Sequence, residues 1–173
     1  EIAQELQEMD TDDAVDVMGE LDEEVQQQVI GSIQDTEHAA DIVEMLKYDE
    51  DTAGALMAKE LVRVKETWTV AGCVREMRRQ AENVTRVHSI YVTDKEGKLI
   101  GRLSLKDLLT AAEKTKISEV FIPKVDYVTV HTDNEEVARI MQKYDLEAIP
   151  VVDEDGVLVG RITIDDIVDF IKE

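Results

Sequence analysis

The chain has 173 residues, 40 of them acidic and 19 basic, giving a net charge of −21. A surface this acidic excludes nucleic acid and anionic membranes as partners and favours cations. One cysteine, Cys73, excludes a disulfide framework and a cysteine zinc cluster, and no apolar run approaches the ~18–20 residues of a membrane helix.

The chain starts at Glu1 and shows no basic-plus-apolar leader, so it reads as a soluble, cytosolic piece of a longer protein. Its charge is unevenly spread. Residues 1–51 carry 18 acids and one base, residues 52–110 seven acids and 11 bases, and residues 111–173 fifteen acids and seven bases. Acidity of this kind either recruits cations or serves solubility alone, and charge by itself leaves both readings open.

The first ~55 residues read as short helices. Apolar residues fall at helical spacing in Val15/Met18/Leu21, in Val25/Val29/Ile33 and in Ala39/Ile42/Val43/Leu46. Each run follows an acidic or hydroxyl start, at residues 10–13, 22–24 and 35–37, of the kind that caps helices and suits the positive end of the dipole. The recurrence every ~12–13 residues predicts a small stack of helices that needs a neighbour.

From Leu61 the period changes. Residues 61–64 read as a short strand, followed by an amphipathic helix through Val70, Val74, Met77 and Ala81. Strands are expected at 90–92 and 99–103 around an Asp-Lys-Glu-Gly turn, then a helix opening near Ser104. A polar connection from Lys114 to near Pro123 leads to a second series: a strand at 127–130, a helix at 135–144, strands at 149–152 and 157–162, and a helix from Thr163. Cys73 and Trp68 read as packing residues. His38, His88 and His131 are dispersed, and no nucleophile–base pattern or Walker-type loop is present, which argues against an enzyme.

Residues 88–109 and 147–168 align without a gap, with eight of 22 positions identical. A spacing of 59 residues suits a duplicated α/β module, each copy covering the other and leaving a cleft between them. Both copies carry a Gly-x-hydrophobic-[Ser/Thr]-x-x-Asp pattern, Gly101 to Asp107 and Gly160 to Asp166. This resembles the tandem CBS domain, a regulatory module that typically pairs as a disc and often senses adenine nucleotides. Residues 46–57, LKYDEDTAGALM, join the acidic helical lobe to the first copy and closely resemble the junction in MgtE-type magnesium transporters.

The resemblance implies an α+β chain in three parts. Residues 1–56 correspond to the C-terminal part of a superhelical N domain, and residues 57–112 and 113–173 to two β-α-β-β-α CBS domains. It further implies a homodimer formed through the CBS domains at the cytoplasmic face of the membrane, attached to a pore domain of the same full-length chain. The implied role is a Mg²⁺ sensor that closes the N domain onto the CBS pair when Mg²⁺ is high.

The residues themselves fit that chemistry. Mg²⁺ is a hard ion that takes oxygen ligands and keeps several waters, so it bridges carboxylates on facing elements. Asp12 and Asp16 share one helix face at i, i+4; Asp165, Asp166 and Asp169 cluster on the last helix; Glu135 and Asp145 flank the helix before it. Two such charges ~4 Å apart repel by roughly 4 kcal/mol at an effective dielectric of ~20, and a divalent ion reverses the sign. By resemblance the metal role goes to Glu135, Asp145, Asp166 and Asp169, and more weakly to Asp12 and Asp16. Near the N-terminus, a helix-start role for Asp12 and Asp13 is the competing reading.

The alternative is an adenine-nucleotide module in which acidity is incidental. ATP would then meet Ser104, Lys106 and Asp107, with Ser89 and Leu146 at the adenine end by resemblance. A competing reading makes Ser104-x-x-Asp107 and Thr163-x-x-Asp166 capping boxes.

Overall fold

The computed structural model describes residues 2–81 and 89–171, so His88 lies outside it. Five helices come first: α1 (Ile2–Glu8), α2 (Thr11–Gly19), α3 (Glu23–Ser32), α4 (Thr36–Leu46) and the single turn α5 (Ala53–Leu56). The first module comprises β1 (Val62–Lys65), α6 (Val70–Ala81), β2 (Ile90–Thr93), β3 (Leu99–Leu103) and α7 (Leu105–Thr110). The second comprises β4 (Val128–Thr129), α8 (Asn134–Lys143), β5 (Ala148–Val152), β6 (Leu158–Thr163) and α9 (Ile164–Ile167). The α+β expectation, a helical lobe followed by two β-α-β-β-α modules, matches this order.

The duplication is visible in the hydrogen bonding. Each module has a three-stranded sheet in which the first pair is parallel and the second antiparallel. Val92 faces Gly101 where Val151 faces Gly160, and the register slips one residue later in both copies. The turns also match, because Gly97 and Gly156 both take a left-handed backbone, φ 85° and 84°, that side chains disfavour. Between the modules those two turns exchange bonds: Leu99 N–H donates to Gly156 O and Leu158 N–H to Gly97 O, each at 3.0 Å.

The modules are also laced together at their outer edges. Ile122, which leads into the second module, pairs with Arg102 of the first, while Ala58, which leads into the first, pairs with Arg161 of the second. Gly101 and Gly160 permit this approach. A Cβ on Gly101 would lie 2.3 Å from Ile122 O, and one on Gly160 would lie 2.8 Å from Ala58 O. The connection between modules is therefore ordered structure: it carries a 3₁₀ turn at Ile117–Glu119 and buries Ile117 completely.

The acidic lobe sits on the second module. α5 is anchored there by Ala53 N–H to Thr132 O at 2.8 Å and Gly54 N–H to Val130 O at 2.9 Å. One apolar core runs from Leu6, Met18, Ile42 and Met45 of the lobe through Ala53 and Met57 into Val137, Met141, Ile149 and Ile162. Cys73 and half-buried Trp68 belong to a separate core under the first sheet, as expected of packing residues.

Helix capping departs from expectation. Asp35 caps α4 by accepting the His38 N–H at 3.1 Å. Asp10 and Asp22 make no side-chain cap on α2 or α3. The start of α2 instead meets a carboxylate from far along the chain, Glu60, which accepts the Thr11 N–H on both oxygens at 3.2 Å.

The close approaches at the repeat glycines generate a stability prediction. Gly101→Ala forces a methyl group into backbone and lowers the unfolding free energy by about 1–3 kcal/mol, the usual penalty for overpacking. Gly31→Ala, in α3 with open space around it, raises it by up to about 1 kcal/mol. Urea unfolding of both variants checks the contrast in sign.

Candidate functional site

Asp12 stands in the first turn of α2, and helix geometry places Asp13 beside it and Asp16 one turn on. Across from them is Asp166 in α9. Both hydrogen bonds that Asp166 receives from Thr163 fall on its Oδ2, from the backbone N–H at 3.0 Å and from the hydroxyl at 2.9 Å. The capping reading of Thr163-x-x-Asp166 is thus realised, and it fixes this carboxylate at the face met by the helical lobe.

The electrostatics of this contact are those of like charges. Asp12 Oδ1 is buried with no hydrogen-bond partner among the described residues. Burial first, and then the negative charges of Asp166 and Asp13, push the Asp12 carboxyl up to about 8; the proton so held is the one that can bridge Asp12 to Asp166, a hydrogen bond that raises it further. Asp13 and Asp16 are raised as well, each first by partial burial; Asp10 and then Asp166 add to Asp13, and Asp13 and then Asp166 add to Asp16. The fold therefore brings Asp12, Asp16 and Asp166 together, along with Asp13, a neighbouring acid that competes with them for the same contact.

The other proposed ligands lie apart. Glu135 lines an open cleft of about 460 Å³ with Asp133, Glu136, Arg139, Gln142 and Phe170, where Arg139 is already paired with Glu136 at 2.6 Å. Asp145 is exposed just after α8 and adopts a left-handed backbone, φ 52°. Asp165 and Asp169 are exposed on α9 and the 3₁₀ turn that continues it. Among the described residues no three His, Cys, Asp or Glu side chains form a ready-made metal cage. A buried carboxylate oxygen with no partner, facing a second carboxylate, nevertheless offers the hard oxygen donors that suit a partly hydrated Mg²⁺.

A second site lies between the modules. A cleft of about 500 Å³ is lined by Ser89 and Tyr91 of the first module, Leu146 and Pro150 of the second, and Arg102, Lys124 and Asp126 at its mouth. Ser89 and Leu146, the residues expected at an adenine end, both line it. Ser104, Lys106 and Asp107 are not among the lining residues; Ser104 caps α7 by accepting the Asp107 N–H at 3.0 Å. In their place the cleft offers two cations, Arg102 and Lys124, whose side chains have no hydrogen-bond or ion-pair partner among the described residues. Arg102 was legible as a repeat position. Its role was not, because Arg161, its counterpart, is buried and donates from Nε to Glu60 O at 3.0 Å.

Comparison with known proteins agrees with this architecture. Residues 53–114 and 117–173 match the CBS domain, and residues 1–51 match the MgtE intracellular N domain. The chain belongs to the CBS domain family, in the domain order of MgtE. It is 46% identical over 133 residues to the magnesium transporter MgtE of Thermus thermophilus, covering 77% of this chain and 30% of that protein. To the Bacillus subtilis magnesium transporter MgtE it is 34% identical over 166 residues, 96% of this chain and 37% of that one. The chain thus spans about a third of the length of these relatives. Its fold matches the crystal structure of the cytosolic domain of the Mg²⁺ channel MgtE in complex with ATP, with a TM-score of 0.88 and 40% identity over 97% of this chain and 68% of that one. Among the described residues no helix is long and apolar enough to cross a membrane.

A raised carboxyl at the MgtE-type lobe contact gives stability a defined pH dependence. Between 3.8 and about 8 the folded chain holds a proton on Asp12 that the unfolded chain has released. The folded state then binds more protons, so stability is greatest at the acid end of that window and falls as pH rises through it. Asp13 and Asp16 act with the same sign. In chelator, the melting temperature is expected to fall between about pH 5 and about pH 8, and Asp12→Asn to flatten that slope. Calorimetric melting across the range checks it.

Proposed function

We propose that this chain is the Mg²⁺-sensing regulatory region of a magnesium transporter, acting at the cytoplasmic face of the membrane without catalysing a reaction. Mg²⁺ between α2 and α9 neutralises the facing carboxylates and closes the helical lobe onto the CBS pair. The observation that carries this reading is the buried Asp12 carboxyl, whose Oδ1 receives no donor from the described residues, set against the carboxyl of Asp166. Asp12, Asp16 and Asp166 form the central ligand set. Glu135, Asp145, Asp165 and Asp169 supply outlying positions on the same module. Closure passes to the pore domain of the full-length chain through the CBS pair, which forms a homodimer by the exposed apolar residues of α7 and of the 3₁₀ turn after α9, where Leu105, Leu109 and Val168 are each more than half exposed.

Small-angle scattering tests the proposal. The wild-type chain contracts when Mg²⁺ replaces chelator, whereas Asp12→Asn/Asp166→Asn gives one radius in both conditions because ligand and repulsion are lost together. A wild-type radius indifferent to Mg²⁺ removes the proposal. Sedimentation in the same buffers reads the dimer, and a Leu109→Glu variant that still dimerises removes that face from it.

A second activity has its own support. Two unpaired cations at the mouth of one cleft, in a chain of net charge −21, suit an anionic ligand, and the MgtE cytosolic domain similar to this chain was crystallised with ATP. We therefore place adenine nucleotide between Ser89 and Leu146, with Arg102 and Lys124 toward its phosphates and Asp126 toward its ribose. Lys106 and Asp107, at the start of α7, are the outer candidates. In calorimetric titration with ATP, Arg102→Ala/Lys124→Ala weakens binding at least about tenfold, as expected for lost charged hydrogen bonds. Unchanged affinity would move the nucleotide elsewhere.

A further inference from the structure

The sensing carboxylates sit on different lobes, yet both are held by one short piece of chain. Residues 57–61 run between the helical lobe and the first module and touch both sides. On one side Ala58 and Arg161 exchange backbone bonds, each at 2.8 Å, and Arg161 Nε donates to Glu60 O at 3.0 Å. Arg161 lies on β6, the strand that runs directly into Thr163 and Asp166.

On the other side the same segment grips Thr11, the residue before Asp12. Lys59 N–H donates to Thr11 Oγ1 at 2.8 Å, and Thr11 Oγ1 donates in turn to Glu60 Oε2 at 3.0 Å. The Glu60 carboxylate also accepts the Thr11 N–H, at the positive end of the α2 dipole. Thr11 is completely buried. The Lys59 side chain reaches past it to α4, placing Nζ 2.6 Å from Glu44 Oε2 and 3.9 Å from Asp41 Oδ1 with only 16% of the side chain exposed. Lys59 thereby serves as a fixed counter-ion for two acids of the lobe.

We propose that Lys59 and Glu60 are positioning residues for magnesium sensing: together they form a clamp, built only from this chain, that ties the start of α2 to β6 so that Asp12 meets Asp166 in register when the lobe closes. The inference rests on the sensing function proposed above and adds to it what sets the ion concentration required. A clamp that prepays the alignment of two carboxylates lowers the Mg²⁺ needed to close them. It contributes no metal ligand.

The experiment places fluorescent labels on cysteines introduced at exposed Gln28 and Lys95; native Cys73 is buried, and burial raises its thiol to about 11, so it stays unlabelled. Inter-label distance is then followed in chelator and through a Mg²⁺ titration. Lys59→Met/Glu60→Gln is expected to raise the closing midpoint about tenfold or more, the scale of lost charged hydrogen bonds, while reaching the wild-type distance at saturation. Lys59→Arg, which keeps the charge, is expected to stay within about twofold of wild type.

If wild type closes with Mg²⁺ but the double variant has the same midpoint, the clamp is overturned and the sensing function stands. If wild type does not respond to Mg²⁺, the sensing function falls. The chelator distances then decide the clamp: a longer or broader distribution in the double variant supports it, and an unchanged one overturns it. A variant that fails to reach the wild-type distance at saturation has lost the lobe contact itself; the single Glu60→Gln variant, nearly isosteric, then replaces it and is judged by the same midpoint.

Discussion

Two carboxylates pressed together without a base between them constrain everything else at the lobe junction. The helical lobe has no lysine or arginine to offer there, since Lys47 is the single one in residues 1–51, and its His38 is held between Leu6 O and Glu60. The bases that reach the junction are committed elsewhere. Lys59 lies on Glu44, Arg63 donates to Leu158 O at 3.0 Å, and Arg161 donates to Glu60 O. Neutralisation of Asp12 and Asp166 is thus left to something the chain does not contain, a proton or a metal ion. The continuous apolar core beneath the contact supplies attraction, and the carboxylates supply the part of the interface whose sign can change.

The duplicated modules give that interface its footing. Each sheet is closed at its edge by the segment leading into the other module, so neither can shift without disturbing its twin. The entrance segment that closes the second sheet also carries the helical lobe. This is why the lobe docks on the second module, although the first follows it in sequence. The consequence is a separation of chemistry: carboxylates gather where α2 meets α9, while Arg102 and Lys124 line the cleft between the modules.

Much of this was legible in the sequence. The apolar runs at 90–92 and 149–152 announced buried strands, and the Gly-containing turns after them announced their pairing. Asp12, Asp16 and Asp166 were named from spacing and resemblance, and the structure brings them together. What could not be read was long-range. Glu60 capping α2 from 49 residues away leaves no local pattern, and Asp10, with ideal local chemistry, makes no side-chain cap. Lys124 and Asp126 enter the cleft only because Ile122 pairs with Arg102. Met45, fully buried, was missed in favour of its neighbour Leu46 because adjacent apolar residues at a helix end give no unique face.

The two Ser/Thr-x-x-Asp motifs show how one local device acquires two chemistries. In the first copy Ser104 takes the Asp107 N–H, and the motif spends itself on starting α7. In the second copy the Asp166 carboxylate is drawn back onto Thr163 by two bonds to one oxygen. That bond pattern would be an ordinary helix start if solvent lay opposite. Instead α2 lies there, delivered by residues 57–61, and its Asp12 is desolvated by the approach. The same sequence motif that only starts a helix in the first module becomes half of a charge-sensitive contact in the second, because a neighbour of the same sign is held against it.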